Sequence, residues 1–323
     1  MSTANTALDQ TRALADAIRQ EIGKAIVGQA ETIDHLLIAL VAGGHVLLEG
    51  PPGTAKTFLA QCLAAATGLE YGRIQFTPDL LPGDILGSNL FNFQTSQFTL
   101  TRGPIFRELL LADEINRTPP KTQAALLEAM QERQVTLDGA SHALSPRFTV
   151  LATQNPIEHQ GVYPLPEAQL DRFLFKLLIP YPSASEEETI VARFAHEGRS
   201  PKAAEFGIAA VASPEAIGAA QASLAGVTLA DEVVAYAVAL VRATRESADL
   251  AHGASPRAAV LLAHAARARA ALEGRDYVLP DDVKALATAT LRHRLQLSPA
   301  AEIEGLQVEQ LVTGLIAQVE APR

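Results

Sequence analysis

The segment GPPGTAKT at residues 50–57 constrains this chain more than any other feature, and it directly follows the apolar run HVLLE at residues 45–49. Glycines in such a turn let consecutive backbone N–H groups point inward around phosphate oxygens at the start of a helix. We expect Lys56 to reach the β and γ phosphates and the Thr57 hydroxyl to bind Mg²⁺. Ala55 stands where the pattern expects glycine; we interpret the departure as mild because alanine permits a helical first turn. Taken alone, the segment has one alternative interpretation, a Gly-Pro turn before an ordinary helix.

A second segment, LLLADE at residues 109–114, argues against that alternative. It predicts an apolar strand that ends in two carboxylates. Asp113 is then placed to hold Mg²⁺ through water, and Glu114 to orient or deprotonate an attacking water. An acidic helix cap would also explain the pair, but not its position downstream of a phosphate loop.

Three more polar residues complete the candidate site. Asn155 ends a predicted strand, where its amide can position the same water or sense the γ-phosphate, although an Asn-Pro pair alone usually marks a turn. Arg172 precedes the last predicted strand, and a planar guanidinium suits the spread charge of a phosphoryl transition state. A surface ion pair is its alternative. Arg257 begins a helix, an ordinary start after Ser255 and Pro256, and can report γ-phosphate occupancy to the C-terminal region.

Short apolar runs alternate with helical patterns from residue 44 to about residue 179, which is typical of a parallel sheet with crossover helices. The predicted strands cover residues 45–49, 71–75, 109–113, 148–153 and 173–178. An amphipathic helix is predicted before them from the spacing of Leu8, Ala15, Ile18, Ile22 and Ile26. Pro180 and Pro182 then end the alternation of strands and helices. We therefore predict an α/β core over residues 1–181 and an all-helical domain over residues 182–323, beginning at a capping box of Ser185 and Glu188.

Composition limits the class of protein. Hydrophobic residues make up 48% and charged residues 19%, as in soluble globular proteins, and the net charge of −10 argues against a broad nucleic-acid surface. No apolar stretch approaches the roughly 20 residues that cross a bilayer, so no membrane span is expected. The N-terminus shows no export signal. A single cysteine, Cys62, excludes an internal disulfide and favours a cytoplasmic location, and we interpret it as a buried apolar residue.

Taken in order, these segments resemble the MoxR family of AAA+ ATPases. The resemblance rests on GPPGTAKT, on residues 109–132 and 150–173, and on GASPRA at residues 253–258, and it covers nearly the whole chain. It implies an AAA+ αβα P-loop core with a five-stranded parallel sheet, β-hairpin insertions and an all-helical lid. It also implies ATP as the nucleotide, Mg²⁺ as the metal, and homo-hexameric rings with nucleotide at the subunit interfaces.

The resemblance further assigns roles within the site. Asn155 would be sensor 1, Arg257 would be sensor 2 on the lid, and Arg172 would be an arginine finger that acts on the ATP of a neighbouring subunit. Residues 26–29, IVGQ, lie where the family contacts adenine. The expected nucleotide-binding residues are Gly28, Gly50, Pro51, Pro52, Gly53, Thr54, Ala55, Lys56, Thr57, Phe58, Asp113 and Arg257. The expected catalytic residues are Lys56, Glu114, Asn155 and Arg172, and the expected metal ligands are Thr57 and Asp113.

Two insertions also match the family. Residues 77–106 and 134–147 are each expected to form a β-hairpin, the second with its turn at Asp138 and Gly139. In related machines such hairpins face the central pore and touch the substrate. Inert surface hairpins are the alternative.

The biological role implied by the resemblance is a chaperone-like remodeller that activates partner proteins, often ones with a von Willebrand factor A domain. A motor subunit of a metal-insertion complex, similar to the magnesium chelatase ATPase, is the first alternative. A nucleic-acid motor is disfavoured because residues 77–106 hold one basic residue, Arg102. An ATP-gated scaffold without hydrolysis is disfavoured because Asp113 and Glu114 are both present.

Overall fold

The structure is a computed structural model, and it describes residues 3–92, 94, 96–156, 161–195 and 202–322. Phe93 and Thr95 of the first predicted hairpin, and residues 157–160 of the second long motif block, lie outside the described residues.

The strands include the five that were predicted and several short ones. They are β1 Val46–Glu49, β2 Tyr71–Gln75, β3 Gly87–Asn92, β4 Gln97–Arg102, β5 Leu109–Asp113, β6 Gln134–Leu137, β7 Ala140–Ala143, β8 Thr149–Gln154, β9 Phe175–Leu178, β10 Leu250–His252 and β11 Gln296–Leu297. Five of them form a parallel sheet in the order β2-β5-β8-β1-β9. The predicted parallel α/β core is confirmed.

The helices surround this sheet and make up most of the C-terminal part. They are α1 Thr3–Gly23, α2 Ala30–Val41, α3 Lys56–Thr67, α4 Pro82–Leu86, α5 Pro120–Glu132, α6 Glu167–Leu170, α7 Ala184–Phe194, α8 Pro214–Ser223, α9 Asp231–Glu246, α10 Pro256–Leu272, α11 Pro280–Leu291, α12 Pro299–Ile303 and α13 Val308–Gln318.

The sheet is covered on both faces, which explains why β5 is buried along its whole length. Successive side chains of a strand point to opposite faces. Leu109 and Leu111 accordingly join an apolar cluster with α1, α2 and α3, whereas Leu110 and Ala112 join a second cluster with α5. The first cluster also buries the predicted apolar face of α1. It continues into α8, α9, α10 and α11, so apolar packing joins the C-terminal helices to the sheet.

The C-terminal part is helical, as predicted, with one short antiparallel pair of β10 and β11. The cap of its first helix lies two residues earlier than predicted. Ser183, rather than Ser185, is the cap: its hydroxyl accepts from the Glu186 N–H, and the Glu186 carboxylate accepts from the Ser183 N–H at 2.8 Å. Both serines have glutamate three residues later, so the motif alone did not select between them. The domain boundary between residues 181 and 182 stays a prediction.

Both predicted hairpins are present. β3 pairs with β4, and β6 pairs with β7 around a turn in which Asp138 and Gly139 have φ angles of 49° and 82°. The Asn89 side-chain amide donates to the Asp138 carboxylate at 2.8 Å. The two insertions are therefore neighbours on one surface.

Among the described residues, no helix combines the length and apolarity needed to cross a membrane. Cys62 lies on α3 with no exposed surface, as expected for a packed apolar residue, and burial raises the pKa of its thiol to about 12.

We expect Cys62 to resist thiol reagents while the chain is folded, because the reactive thiolate is disfavoured and the sulfur is out of solvent. Titration with a chromogenic disulfide reagent should release almost no chromophore from native protein and one equivalent per chain after denaturation. Fast, stoichiometric labelling of the native protein would contradict the buried position.

Candidate nucleotide site

The sheet order brings three strand ends to one edge. β8 lies between β5 and β1, and all three run parallel, so their carboxyl ends meet where the phosphate loop begins. The Gly50 N–H donates to the Gln154 carbonyl at 3.4 Å, which joins the loop to the end of β8. Open parallel sheets bind ligands at this edge.

The loop of residues 50–57 has a backbone that few side chains would permit. A Cβ on Gly50 would lie 2.4 Å from the Ile179 carbonyl oxygen, so only glycine fits there. Gly53 has a φ of 83°, in the region that favours glycine. The loop ends where Lys56 begins α3, so the free N–H groups of a helix N-terminus face the enclosed space.

Ala55 does not take the helical conformation that we expected of it. Its φ and ψ are 61° and 20°, which is the left-handed region, and it precedes the first residue of α3. The pattern expects glycine here because the loop needs this backbone conformation. Alanine keeps the loop geometry at a steric cost of about 1 kcal/mol.

The Lys56 ammonium group faces the interior of the loop. It donates to the Gly50 and Pro51 carbonyls at 2.7 Å each and lies 3.3 Å from the Thr54 hydroxyl. Burial lowers the pKa of Lys56, and the nearby charges of Asp113 and Glu114 act in the opposite direction. An anion that enters the loop would therefore meet a cation already in place.

Thr57 and Asp113 come together although 56 positions separate them in the chain. The Thr57 hydroxyl donates to Asp113 Oδ2 at 3.1 Å, and the Thr153 hydroxyl donates to Asp113 Oδ1 at 2.6 Å. One hydroxyl and one carboxylate are oxygen ligands of the kind that Mg²⁺ takes alongside substrate phosphates. Among the described residues no group of three His, Cys, Asp or Glu side chains could hold a metal. The residues thus fit a metal whose remaining ligands are phosphate and water.

Arg73 is a member of the site that sequence analysis missed. Its Nη2 and Nε donate to Asp113 Oδ2 at 2.7 and 3.2 Å. The signal was present in the alternation of polar residues at the end of β2, since Arg73 and Gln75 point to the same face of that strand. Only the pairing of β2 with β5 shows that this face meets the two carboxylates.

Glu114 lies at the open side of the site. Its backbone is left-handed at a φ of 57°, and its N–H donates to the Thr153 hydroxyl at 2.8 Å. The carboxylate accepts from Gln75 Nε2 at 2.7 Å and pairs with Arg117 Nε at 3.1 Å. These contacts hold the carboxylate beside Asp113 and leave it partly exposed.

Asn155 follows the last residue of β8 and is 8% exposed. Because β8 separates the phosphate loop from Asp113 and Glu114, Asn155 lies between the two motifs at the same edge of the sheet. The structure thus brings together the candidates Lys56, Thr57, Asp113, Glu114 and Asn155.

A cavity of about 520 Å³ adjoins the loop, lined by Val27, Gln29, His35, Tyr181 and Arg292 among others. The Gln29 side chain donates to the Thr54 carbonyl at 3.3 Å and so joins the cavity wall to the loop. Gly28, predicted to contact nucleotide, lies in the same segment with a φ of 68°. Phe58 was also predicted to contact nucleotide; its half-buried ring packs edge-on against Phe206, and the predicted contact stays a prediction.

Arg172 and Arg257 lie away from the phosphate loop of their own chain. Arg172 precedes β9, so it is at the amino end of a strand whose carboxyl end faces the loop, roughly 13 Å or more away along the strand direction. Arg257 lies 3.9 Å from the Asp171 carboxylate. The two predicted arginines are therefore close to one another and remote from the Lys56 and Thr57 of their own chain.

The fold and the site define a P-loop nucleotide-binding protein of the AAA+ class. The family model described as "ATPase family associated with various cellular activities (AAA)" matches residues 45–175, and the AAA lid domain model matches residues 242–315. Chaperone MoxR1 of Mycobacterium tuberculosis is 42% identical over 94% of this chain and 81% of the relative. The uncharacterized protein YeaC of Bacillus subtilis is 45% identical over 94% and 93% of the two chains.

A crystal structure of a candidate ATPase from Cytophaga hutchinsonii superposes with a TM-score of 0.90 at 38% identity, covering 99% of this chain and 98% of the other. The chain belongs to the MoxR family of chaperone-like AAA+ ATPases.

We expect Ala55→Gly to raise the free energy of unfolding by about 0.5–1 kcal/mol, because glycine adopts the left-handed conformation without the steric cost of a Cβ. Urea denaturation would measure the change. Ala65→Gly, inside α3, is the matched control and should lower stability by about 1 kcal/mol. Equal losses in the two variants would contradict the strain at Ala55.

We expect Glu114→Gln to bind ATP with near wild-type affinity and to hydrolyse it hardly at all, because the amide keeps the shape of the side chain but not its basicity. Fluorescent-nucleotide binding and phosphate release would be measured side by side. Lys56→Ala is the companion variant and should lose binding itself. Full turnover by Glu114→Gln would overturn the role of that carboxylate.

Proposed function

We propose that this chain hydrolyses Mg²⁺-bound ATP at the edge formed by β1, β5 and β8. The observation that carries the proposal is the 3.1 Å contact between Thr57 and Asp113, which places a metal-binding hydroxyl and carboxylate beside the Lys56 ammonium group. A phosphate loop alone would support nucleotide binding. The added Glu114 carboxylate supports hydrolysis.

Each residue of the site has a part that follows from its position. The N–H groups of the loop and Lys56 bind the phosphates, while Glu114 and Asn155 orient the attacking water and Glu114 takes its proton. When bound to Thr57 and Asp113, Mg²⁺ neutralises charge on the β and γ phosphate oxygens.

The cavity has features that favour adenine. His35 Nδ1 lies 2.8 Å from the Glu31 carbonyl, which only accepts, so the neutral ring leaves Nε2 as an acceptor; burial lowers the His35 pKa and keeps the ring neutral. His35 Nε2 and Gln29 Oε1 are buried, with no hydrogen-bond partner among the described residues. Two acceptors suit the amino group of adenine and disfavour the carbonyl of guanine.

Arg172 lies before the amino end of β9, away from the loop at the carboxyl end of β1, and this position favours action on the ATP of another chain. Among the described residues its guanidinium has no acidic partner, so it is available to a neighbouring subunit. We therefore propose that Arg172 acts as the arginine finger of a ring, homo-hexameric as is common in the family, and that Arg257 beside it contacts the nucleotide of the same neighbour.

The ring would act on other proteins. One relative is named as a chaperone, and the two hairpins meet through Asn89 and Asp138, so they form one continuous surface. We propose that this surface engages a client protein and that a partner with a von Willebrand factor A domain delivers it. Pull-down with Glu114→Gln and ATP would test this directly.

We expect the wild-type turnover per subunit to rise with protein concentration as rings form, and Arg172→Ala to stay at every concentration about 10³-fold or more below the turnover of the wild-type ring. Phosphate release across a dilution series, with sedimentation at each point, would measure both. Wild-type turnover by Arg172→Ala, or turnover that does not change on dilution to monomer, would remove the role in trans.

A further inference from the structure

Two residues that follow the lid helix α11 hydrogen-bond to the segment that carries Arg172. Arg294 Nε donates to Asp171 Oδ1 at 2.7 Å, and its Nη2 donates to the carbonyls of Asp171 and Phe173 at 2.9 and 2.6 Å. His293 Nε2 lies 3.0 Å from the same Phe173 carbonyl. We call this arrangement of Asp171, Phe173, His293 and Arg294 the finger clamp. It fixes the backbone on both sides of Arg172 and leaves the Arg172 side chain outside.

Burial and charge make the finger clamp rigid. The Arg294 side chain is 2% exposed, and Asp171 is its carboxylate partner. A buried guanidinium that donates in several directions to a carboxylate and to carbonyls has one geometry, which lysine cannot reproduce with a single ammonium group. The His293 ring is also buried, and burial lowers its pKa well below the usual range, so it stays a neutral hydrogen-bonding group.

The C-terminal half of α11 also faces the nucleotide cavity of the same chain. Ala285, Thr288 and Ala289 on this helix, and Arg292 directly after it, line the cavity. One helix, continued by His293 and Arg294, thus connects the nucleotide that a subunit holds with the arginine that it offers to its neighbour. An ordinary ion pair between lid and core would not need to bind the backbone on each side of Arg172.

We propose that Arg294 and Asp171 are positioning residues for ATP hydrolysis: the finger clamp sets Arg172 for catalysis in the neighbouring subunit. This proposal rests on the proposed function, and in particular on Arg172 acting in trans. A displacement of about 1 Å in a catalytic group can reduce turnover by about 100-fold, so loosening the clamp should be visible in kcat.

The variants Arg294→Lys and Asp171→Asn should each lower kcat by about 100-fold and leave the affinity for ATP within about twofold of wild type. Arg275→Lys is the matched control, because Arg275 also binds a buried carboxylate of the lid, Asp282, at 2.7 and 2.9 Å. It should lower the melting temperature by a similar amount without the loss in kcat. Equal losses in kcat for all three variants would show that the finger clamp stabilises the fold but does not position Arg172.

Mixed rings separate action in trans from action on the subunit's own site. Arg294→Lys subunits keep an intact pocket, and Glu114→Gln subunits keep an intact finger and clamp. In an equal mixture half of the pockets are competent, and half of those adjoin an intact finger, so activity should recover to roughly a quarter of wild type. Arg172→Ala mixed with Glu114→Gln should recover equally, whereas Arg294→Lys mixed with Arg172→Ala should show no recovery above the residual turnover of Arg294→Lys.

The outcomes distinguish failure of the clamp proposal from failure of the proposed function. Absence of recovery in the first mixture, or wild-type turnover by both clamp variants, overturns the positioning role. Loss of ring assembly in both clamp variants, seen by sedimentation with a slowly hydrolysed ATP analogue, also overturns it. If instead wild-type protein does not hydrolyse ATP, or Arg172→Ala is fully active, the proposed function fails and the clamp proposal fails with it.

Discussion

Asp113 is held by side chains from three other parts of the fold. Its two oxygens accept from Thr57 at the start of α3, from Arg73 on β2 and from Thr153 on β8, and the residue is only 7% exposed. A carboxylate so far from solvent is stable only when such donors surround it. The order of the sheet and the position of the loop therefore depend on one another, since a shift in any of these strands would leave a buried charge unpaired.

The same sheet separates the two halves of the catalytic apparatus. Its carboxyl edge holds the loop, Asp113, Glu114 and Asn155, and the amino end of β9 holds Arg172 with Arg257 nearby. No rearrangement of a single side chain spans that distance, so the proposed arginine finger requires a second copy of the chain. The lid then links the two, because the C-terminal half of α11 borders the cavity and the residues that follow it bind the Arg172 segment.

Much of this was readable from the sequence because the signals are local. A glycine-bearing turn after an apolar strand, paired carboxylates after another, and an Asp-Gly turn between alternating residues each fix structure within a few positions. Arg73 and Arg294 escaped because their roles arise from long-range pairing, of β2 with β5 and of the lid with residues 171–174. Ala55 was misjudged because alanine itself favours the right-handed helix, although the glycine that the pattern expects at this position signals a left-handed backbone. The cap at Ser183 was missed because two serines offered the same spacing.

In the proposed mechanism the loop and the end of β5 share one metal–triphosphate complex. Calorimetric titration of ATP into wild-type protein and into Asp113→Asn, each with Mg²⁺ and with a chelator, tests it most directly. We expect Mg²⁺ to strengthen binding to wild type and Asp113→Asn to lose most of this gain while still binding the metal-free nucleotide. An equal gain from Mg²⁺ in both proteins, or no binding of ATP to wild type, would contradict it.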